Sequence, residues 1–154
     1  LLTKMPVFRR LIREVELARL GYILGNLLTA GIPIVDAIES LRSTTTFYAY
    51  KKFYGYVKEG INQGNAVEEI FSTYKKSTKL IPKPIQQMII IGEKSGKLGK
   101  TLEKIGHAYE IKIESSIRDI STLIEPVLLI IIGIVVALIA VATLMPIYNL
   151  ATII

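Results

Sequence analysis

Residues 88–101 read MIIIGEKSGKLGKT, and this stretch is compatible with two different architectures. In an α/β protein, an apolar strand would lead into a glycine-rich loop that cradles a phosphate group. In an all-α protein, one helix would stop at a glycine and the next helix would begin directly after it. A Walker phosphate loop needs Gly, four residues and then Gly-Lys-Ser/Thr, because Lys and the hydroxyl must reach the phosphate oxygens and magnesium.

Neither possible frame of this stretch satisfies that spacing. Only three residues separate Gly92 from Gly96, and Leu98 stands where the hydroxyl is needed. The second frame, Gly99 to Thr101, needs a glycine at the position of Lys94. The sequence therefore predicts that Gly96 ends a helix in the left-handed conformation and that Leu98 returns the chain to the core.

Apolar residues at spacings of three and four predict an all-α bundle of six helices. In the first helix the predicted apolar face includes Leu11, Val15, Ala18, Tyr22 and Leu28, backed by Ile12, Leu24 and Leu27. In the last it runs from Leu98 through Leu102, Ile105, Tyr109 and Ile113 to Ile117 and Ile120. The predicted helices are 7–30, ended by Gly31; 33–41; 47–62, ended by Gly64; a short helix capped by Asn65; one from Pro82 or Pro84 to Lys94; and the long one from Leu98. The predicted loop is 75–84.

The segment PVLLIIIGIVVALIAVATLM, residues 126–145, has one polar side chain, Thr143. At about 1.5 Å per residue, a helix of this length spans the roughly 30 Å of a bilayer's hydrocarbon core. Since core helices of soluble proteins rarely lack a polar face over such a length, we expect a transmembrane helix. Pro126 suits its first turn.

Charge is distributed unevenly along the 154 residues, which carry a net charge of +6. The 19 Lys and Arg residues all lie between Lys4 and Arg118, and no charged residue follows Glu125. The positive-inside rule predicts that the preceding domain is cytoplasmic. We expect residues 1–122 to form the bundle, 123–150 the membrane helix and 151–154 a short extracytoplasmic tail.

The residue types exclude several chemistries. The chain has no cysteine and a single histidine, His107, so thiolate chemistry is excluded, and His107 has no neighbouring ligands that would complete a metal site. We expect no catalytic residue, no metal and no cofactor. The clustered lysines 75, 76, 79 and 83, and 94, 97, 100 and 104, are either solvated or face anionic lipid or acidic protein surfaces.

Four strings together resemble one known family. They are LLTAGIPIVDAI (27–38), IIIGEKSGKL (89–98), LIEPVLLIIIGIVVALI (123–139) and MPIY (145–148). The chain is similar to the type II secretion F-domain family, the PilC/GspF-type inner-membrane platform proteins of type IV pilus and type II secretion systems. The opening MPVFRRLIREVELARL (5–20) resembles the entry to the second of that family's two cytoplasmic domains.

The resemblance implies a scaffold and not an enzyme. Such proteins have two six-helix cytoplasmic domains and three membrane helices, form homo-oligomers, and couple a hexameric assembly ATPase to the assembly of pilins with other platform components. This chain would be the second domain with the final membrane helix, in contact with lipid but with no nucleic acid or small-molecule substrate. The family's motif positions correspond to Gly31, Pro33, Gly92, Glu93, Gly96, Leu98, Glu125, Pro126 and Pro146.

Other interpretations remain open on the sequence alone. A generic membrane-anchored interaction domain, a basic nucleic-acid-binding helical protein, a nucleotide-dependent enzyme built on the Gly-Lys stretch and a transporter fragment are the alternatives. The absence of ionisable side chains from 126 to 154 argues against a substrate path through the membrane there. Within the membrane, Gly133, Ala137 and Ala140 form a stripe of small residues where another membrane helix could pack. Glu93 is either solvated or bonded to a neighbouring helix or a partner subunit. Glu125 is either a solvated carboxylate at a helix start or paired with a basic residue, a lipid amine or a neighbouring protomer.

Overall fold

The computed structural model describes the backbone of residues 6–151 and side chains between residues 8 and 148. Over that range the chain is all α-helical and has seven helices, which confirms the predicted fold class. The helices are α1 (Pro6–Thr29), α2 (Ile34–Thr44), α3 (Tyr48–Asn62), α4 (Val67–Thr73), α5 (Ser77–Leu80), α6 (Lys83–Lys94) and α7 (Leu98–Ala151). Cα packing divides the chain into two units, 1–114 and 115–154.

The core of the first unit is built from one face of every long helix. Phe53 lies at its centre, stacked on Phe71 with ring centroids 6.2 Å apart and touching Tyr74 edge-on at 5.1 Å. Burying side chains of this size supplies about 1.5–3 kcal/mol each. The other large, fully buried apolar side chains are Leu17, Leu41, Ile70, Ile81, Leu102 and Ile105.

Glycines end three of the helices, as the sequence predicts. At Gly96, φ is +67°, a value that costs most residues energy but not glycine. The Gly96 N–H donates to the Glu93 carbonyl at 3.1 Å, and the Lys97 N–H donates to the Gly92 carbonyl at 2.9 Å. This pair of bonds satisfies the last carbonyls of α6 in a Schellman motif. Gly31 and Gly64, with φ of +85° and +83°, end α1 and α3.

The predicted face of α1 is only partly right. Leu24 is almost fully buried, as predicted, but Tyr22 is 69% exposed. The prediction also leaves out Leu17 and Leu20, which are fully and almost fully buried. The side of α1 that faces α7 carries Gly21 at a position where a large apolar residue would be expected. Hydrophobic periodicity therefore does not identify this side of the helix as buried. In α7, Ile117 is 52% exposed and does not continue the buried face of Leu102, Ile105 and Tyr109.

Three local predictions need correction. The basic segment 75–84 contains a short helix, α5, and is not wholly a loop. Residue 66, and not Asn65, is the N-cap of α4, and no side chain of the cap residue closes that end. Pro126 and Pro146 both lie inside α7, so Pro126 does not occupy a first turn. The predicted long helix from Leu98 and the predicted membrane helix are accordingly parts of one continuous helix, α7.

Candidate functional site

The GEKSGKL segment, residues 92–98, forms the junction between α6 and α7. A Cβ added at Gly92 would lie 2.8 Å from the Thr101 Oγ1 atom, so this glycine lets the end of α6 approach the first turns of α7. Gly96 makes the reversal, and Leu98 packs against the core. The segment is a tight turn between two helices, and the residues before it form a helix and not a β-strand. This arrangement argues against a phosphate-binding loop.

Glu93 joins this corner to a distant part of the bundle. Its carboxylate accepts the backbone N–H of Val67 at 3.1 Å through Oε2 and 3.4 Å through Oε1. Val67 is the first residue of α4, so Glu93 supplies both the missing acceptor and a negative charge at a helix N-terminus. Next to it, the Lys94 Nζ atom lies 2.6 Å from Glu68 Oε2. The expectation that Glu93 bonds a neighbouring helix is confirmed.

A buried carboxylate, Glu16, holds α1 against α3. It is completely buried, and its Oε1 atom accepts Arg19 Nη1 at 2.9 Å and Thr45 Oγ1 at 2.8 Å. Tyr54 Oη donates to Oε2 at 3.4 Å. Burial of a charge is unfavourable unless it is paired and hydrogen-bonded, and these three donors meet that need. Burial, followed by the charge of Glu16, raises the pKa of Tyr54 well above its ordinary value.

Glycines bring the backbones of α1 and α7 into contact. A Cβ at Gly21 would lie 2.2 Å from the Gly106 nitrogen, and a Cβ at Gly106 would lie 2.8 Å from the Tyr22 nitrogen. One helical turn further along, Gly25 lies against Glu103. Thr29 Oγ1 donates to Glu103 Oε1 at 2.7 Å. The sequence analysis did not predict this close contact between α1 and α7. The four-residue spacing of Gly21 and Gly25 on α1 could have indicated it.

The described residues contain no group of three or more His, Cys, Asp or Glu side chains placed to hold a metal ion. His107 is a surface residue, as expected, with Nδ1 3.8 Å from Glu110 Oε2. The other motif residues do not gather at one point. Gly31 ends α1 and Pro33 is the N-cap of α2, while Glu125, Pro126 and Pro146 lie along α7. What the arrangement offers is therefore surfaces and a packed scaffold.

Helix α7 is the only helix in the described part of the chain that is long and apolar enough to cross a membrane. Its large apolar side chains from Val127 to Tyr148 are each about half exposed or more. A Cβ at Gly133 would meet no atom within 4 Å, so no other described residue packs against this position. Exposed apolar surface of this length is unfavourable in water and stable in hydrocarbon.

Comparison with known proteins agrees with this architecture. The model of the family "Type II secretion system (T2SS), protein F" matches residues 22–146. The chain is 29% identical over 151 residues to the type IV pilus assembly protein PilC of Pseudomonas aeruginosa, covering 98% of this chain and 39% of that protein. It is 31% identical over 147 residues to PilC of Myxococcus xanthus, covering 96% and 34%.

A relative from the secretion side is the type II secretion system protein F of Pseudomonas aeruginosa, 29% identical over 153 residues, covering 97% of this chain and 36% of that protein. The chain thus spans well under half the length of these relatives. The family match covers the bundle from the last two turns of α1 onward and most of the apolar part of α7, and the chain is membrane-associated. It belongs to the type II secretion system protein F family.

Proposed function

We propose that this chain is the second cytoplasmic domain and final membrane helix of an inner-membrane platform protein. The machine is a type IV pilus, a competence pseudopilus or a type II secretion system. The observation that carries the proposal is the family match over residues 22–146, together with relatives named for type IV pilus assembly and type II secretion.

In this proposal residues 1–122 are cytoplasmic, 123–150 cross the inner membrane and 151–154 reach the other side. The orientation is supported by charge, since every Lys and Arg precedes the apolar segment and cytoplasmic flanks are enriched in both. The tail residues 152–154 lie outside the described residues.

The platform works by contact and performs no catalysis. It couples a hexameric assembly ATPase on the cytoplasmic side to pilins and other platform components in the membrane. Two features suit a domain that transmits displacement. The α1–α7 backbone contact at Gly21 and the hydrogen-bonded Glu16 hold the bundle together, and α7 contributes residues to both units.

Homo-oligomer formation belongs to the same proposal. The stripe of Gly133, Ala137 and Ala140 stays a prediction for the contact between membrane helices. Cross-linking from cysteines introduced along α7 tests it, because we expect dimers from the stripe positions and not from the opposite face. If the stripe positions cross-linked only to lipid, the stripe would not be the contact between membrane helices.

The function is tested by purifying the tagged chain from its native membrane in mild detergent. We expect an assembly ATPase and pilins to co-purify, identified by mass spectrometry. A variant that truncates the chain after residue 122 lacks the proposed membrane helix. It should still bind the ATPase on the cytoplasmic side but should no longer co-purify with pilins. Recovery of a folded, oligomeric chain with neither component would contradict the proposal.

A further inference from the structure

Two adjoining hollows on the bundle form one continuous basic surface. One lies between the start of α1 and α3, and the other lies between α3 and the segment that links α4 to α5. They share Ala49, Lys79 and Leu80. We call this the basic surface and define it by the cationic side chains that line it: Arg9, Arg10, Arg13, Lys52, Lys75, Lys76 and Lys79.

The described residues that line the two hollows include seven cations and no Asp or Glu. Arg10 pairs with Glu14 at 2.9 Å, but none of the ion pairs found between described residues includes Lys52, Lys75, Lys76 or Lys79. Cations drawn from three separate chain segments therefore converge on one concave region, which attracts anions.

The surface also carries exposed aromatic and apolar groups. Tyr48 is 78% exposed beside Lys52, and Tyr74 and Leu80 lie in the same hollow, partly buried. Tyrosines beside lysines are typical of the membrane–water boundary, where the ring enters the interface and the ammonium groups meet lipid phosphates.

One cation of the basic surface, Arg13, lies close to the stretch of α7 that leads along the chain to the apolar segment. Arg13 is close enough to Tyr109 for its charge to oppose the rise in the Tyr109 pKa that burial causes. Tyr109 lies near Glu114, the last residue of the first unit. From there the chain reaches Pro126, where the uncharged segment begins. The apolar segment thus keeps the basic surface at a high local concentration near a bilayer.

We propose that the basic surface binds the phosphate-bearing headgroups of anionic lipids in the leaflet next to the bundle. A bilayer is favoured over an acidic protein because the same chain carries an apolar segment long enough to cross a membrane and because Tyr48 matches an interfacial residue. Lysines, as mobile point charges, suit fluid headgroups better than a fixed partner geometry. Bound lipid would orient the bundle on the membrane.

The proposal is tested on the full chain in lipid bilayers that contain no other protein. Because the chain lacks cysteine, Thr78→Cys provides a single labelling site at an exposed position between Lys76 and Lys79. A fluorophore there is quenched by lipids that carry a spin label on the headgroup. We expect stronger quenching in bilayers of phosphatidylcholine mixed with phosphatidylglycerol than in phosphatidylcholine alone, and we expect salt to abolish the difference.

Charge-neutralising variants identify the residues. Each basic side chain near an anionic bilayer strengthens its binding about fivefold, so Lys76→Gln with Lys79→Gln should weaken docking about 25-fold. The control is Lys97→Gln with Lys100→Gln, an equal loss of charge at exposed positions outside the basic surface, for which we expect no change. Circular dichroism checks that each variant folds.

Three results would overturn the proposal. One is equal quenching in both bilayers. Another is an equal loss of quenching in the Lys97/Lys100 control. The third is unchanged quenching in the Lys76/Lys79 variant, which would leave the surface to a protein partner. Since only lipid and this chain are present, the outcome does not depend on the ATPase proposed above.

Discussion

At the scale of single residues, the carboxylate of Glu93 shows how one side chain can connect two parts of a bundle. The preceding Gly92 brings α6 close to α7, and Glu93 then reaches back to the first N–H of α4. A loop side chain would ordinarily cap a helix such as α4. Here the capping side chain lies 26 residues further along the chain. The stability of α4 therefore depends on the position of Glu93 at the C-terminal end of α6.

We expect Glu93→Gln to weaken α4 by about 1 kcal/mol, because the amide keeps an acceptor but loses the charge that favours a helix N-terminus. Hydrogen exchange of the amides in residues 67–73, read by mass spectrometry, should become about fivefold faster. The matched control is Glu110→Gln, since the Glu110 side chain is 71% exposed. Unchanged exchange in α4 would show that Glu93 does not cap it.

A second prediction at this scale concerns buried tyrosines. Burial and then the charge of Glu16 raise the pKa of Tyr50 as well as that of Tyr54. The unfolded chain therefore loses these protons near pH 10 while the folded chain keeps them. Their contribution to stability is complete below pH 10 and falls as the pH rises above it.

The pH dependence is measured as the free energy of unfolding in detergent. We expect it to fall by about 1.4 kcal/mol per pH unit for each of the two tyrosines above pH 10. Tyr50→Phe should lower the dependence of the unfolding free energy on pH by about 1.4 kcal/mol per pH unit. It should also lower that free energy by about 1 kcal/mol at neutral pH, because Tyr50 Oη donates to the Leu80 carbonyl at 3.0 Å. The control is Tyr48→Phe, an exposed ring. An unchanged slope in Tyr50→Phe would refute the assignment.

At the scale of helices, the contact between α1 and α7 is set by the absence of side chains. Gly21 and Gly106 let the two backbones touch, whereas most helix pairs stand 8–10 Å apart. Glycine inside a helix costs about 1 kcal/mol relative to alanine. The closer packing and the Thr29–Glu103 hydrogen bond offset that cost.

We expect Gly21→Ala to destabilise the bundle by about 1–3 kcal/mol, because the new Cβ would overlap the Gly106 backbone and the helices must separate. The matched control is Gly55→Ala in α3, where the nearest atom to the new Cβ is Arg42 Nε at 3.4 Å. That variant should be neutral or gain up to about 1 kcal/mol from helix propensity. Thermal unfolding in detergent compares them, and equal effects would contradict the close contact.

At the scale of the whole molecule, charge and hydrophobicity divide the chain in two. The bundle carries the charged side chains and its own core, and the later part of α7 presents apolar side chains outward. A chain with this division is stable only when the apolar part has left water. The proposed orientation then follows from where the lysines and arginines lie.

The orientation is measured with single cysteines in the cysteine-free chain. We expect a membrane-impermeant maleimide to label Thr152→Cys in intact spheroplasts, and to label Gln63→Cys, in the bundle, only after lysis. The reason is that Lys112 and Arg118 flank the apolar segment on the bundle side, whereas residues 126–154 carry no basic side chain. Labelling of Gln63→Cys before lysis would place the bundle outside the cell.

The sequence by itself determined the features that depend on neighbouring residues. The all-α class, the apolar segment and the helix ends at Gly31, Gly64 and Gly96 all follow from local periodicity, hydropathy and the φ that glycine permits. The four-residue spacing of Tyr50 and Tyr54 predicts that both lie on one apolar face of α3, and both are almost fully buried. Residues within one or two helical turns of each other set these properties, so no knowledge of the distant chain is needed.

Only the tertiary structure decided which face of α1 is buried, where Glu16 finds its partners, that Glu93 caps α4 and how closely Gly21 approaches Gly106. The basic surface also depends on it, since Arg13 and Lys79 line one hollow although they are far apart in sequence. Each of these contacts joins distant segments. Its energy depends on the distance between side chains or backbones after the helices pack, and the order of residues along the chain does not specify that distance.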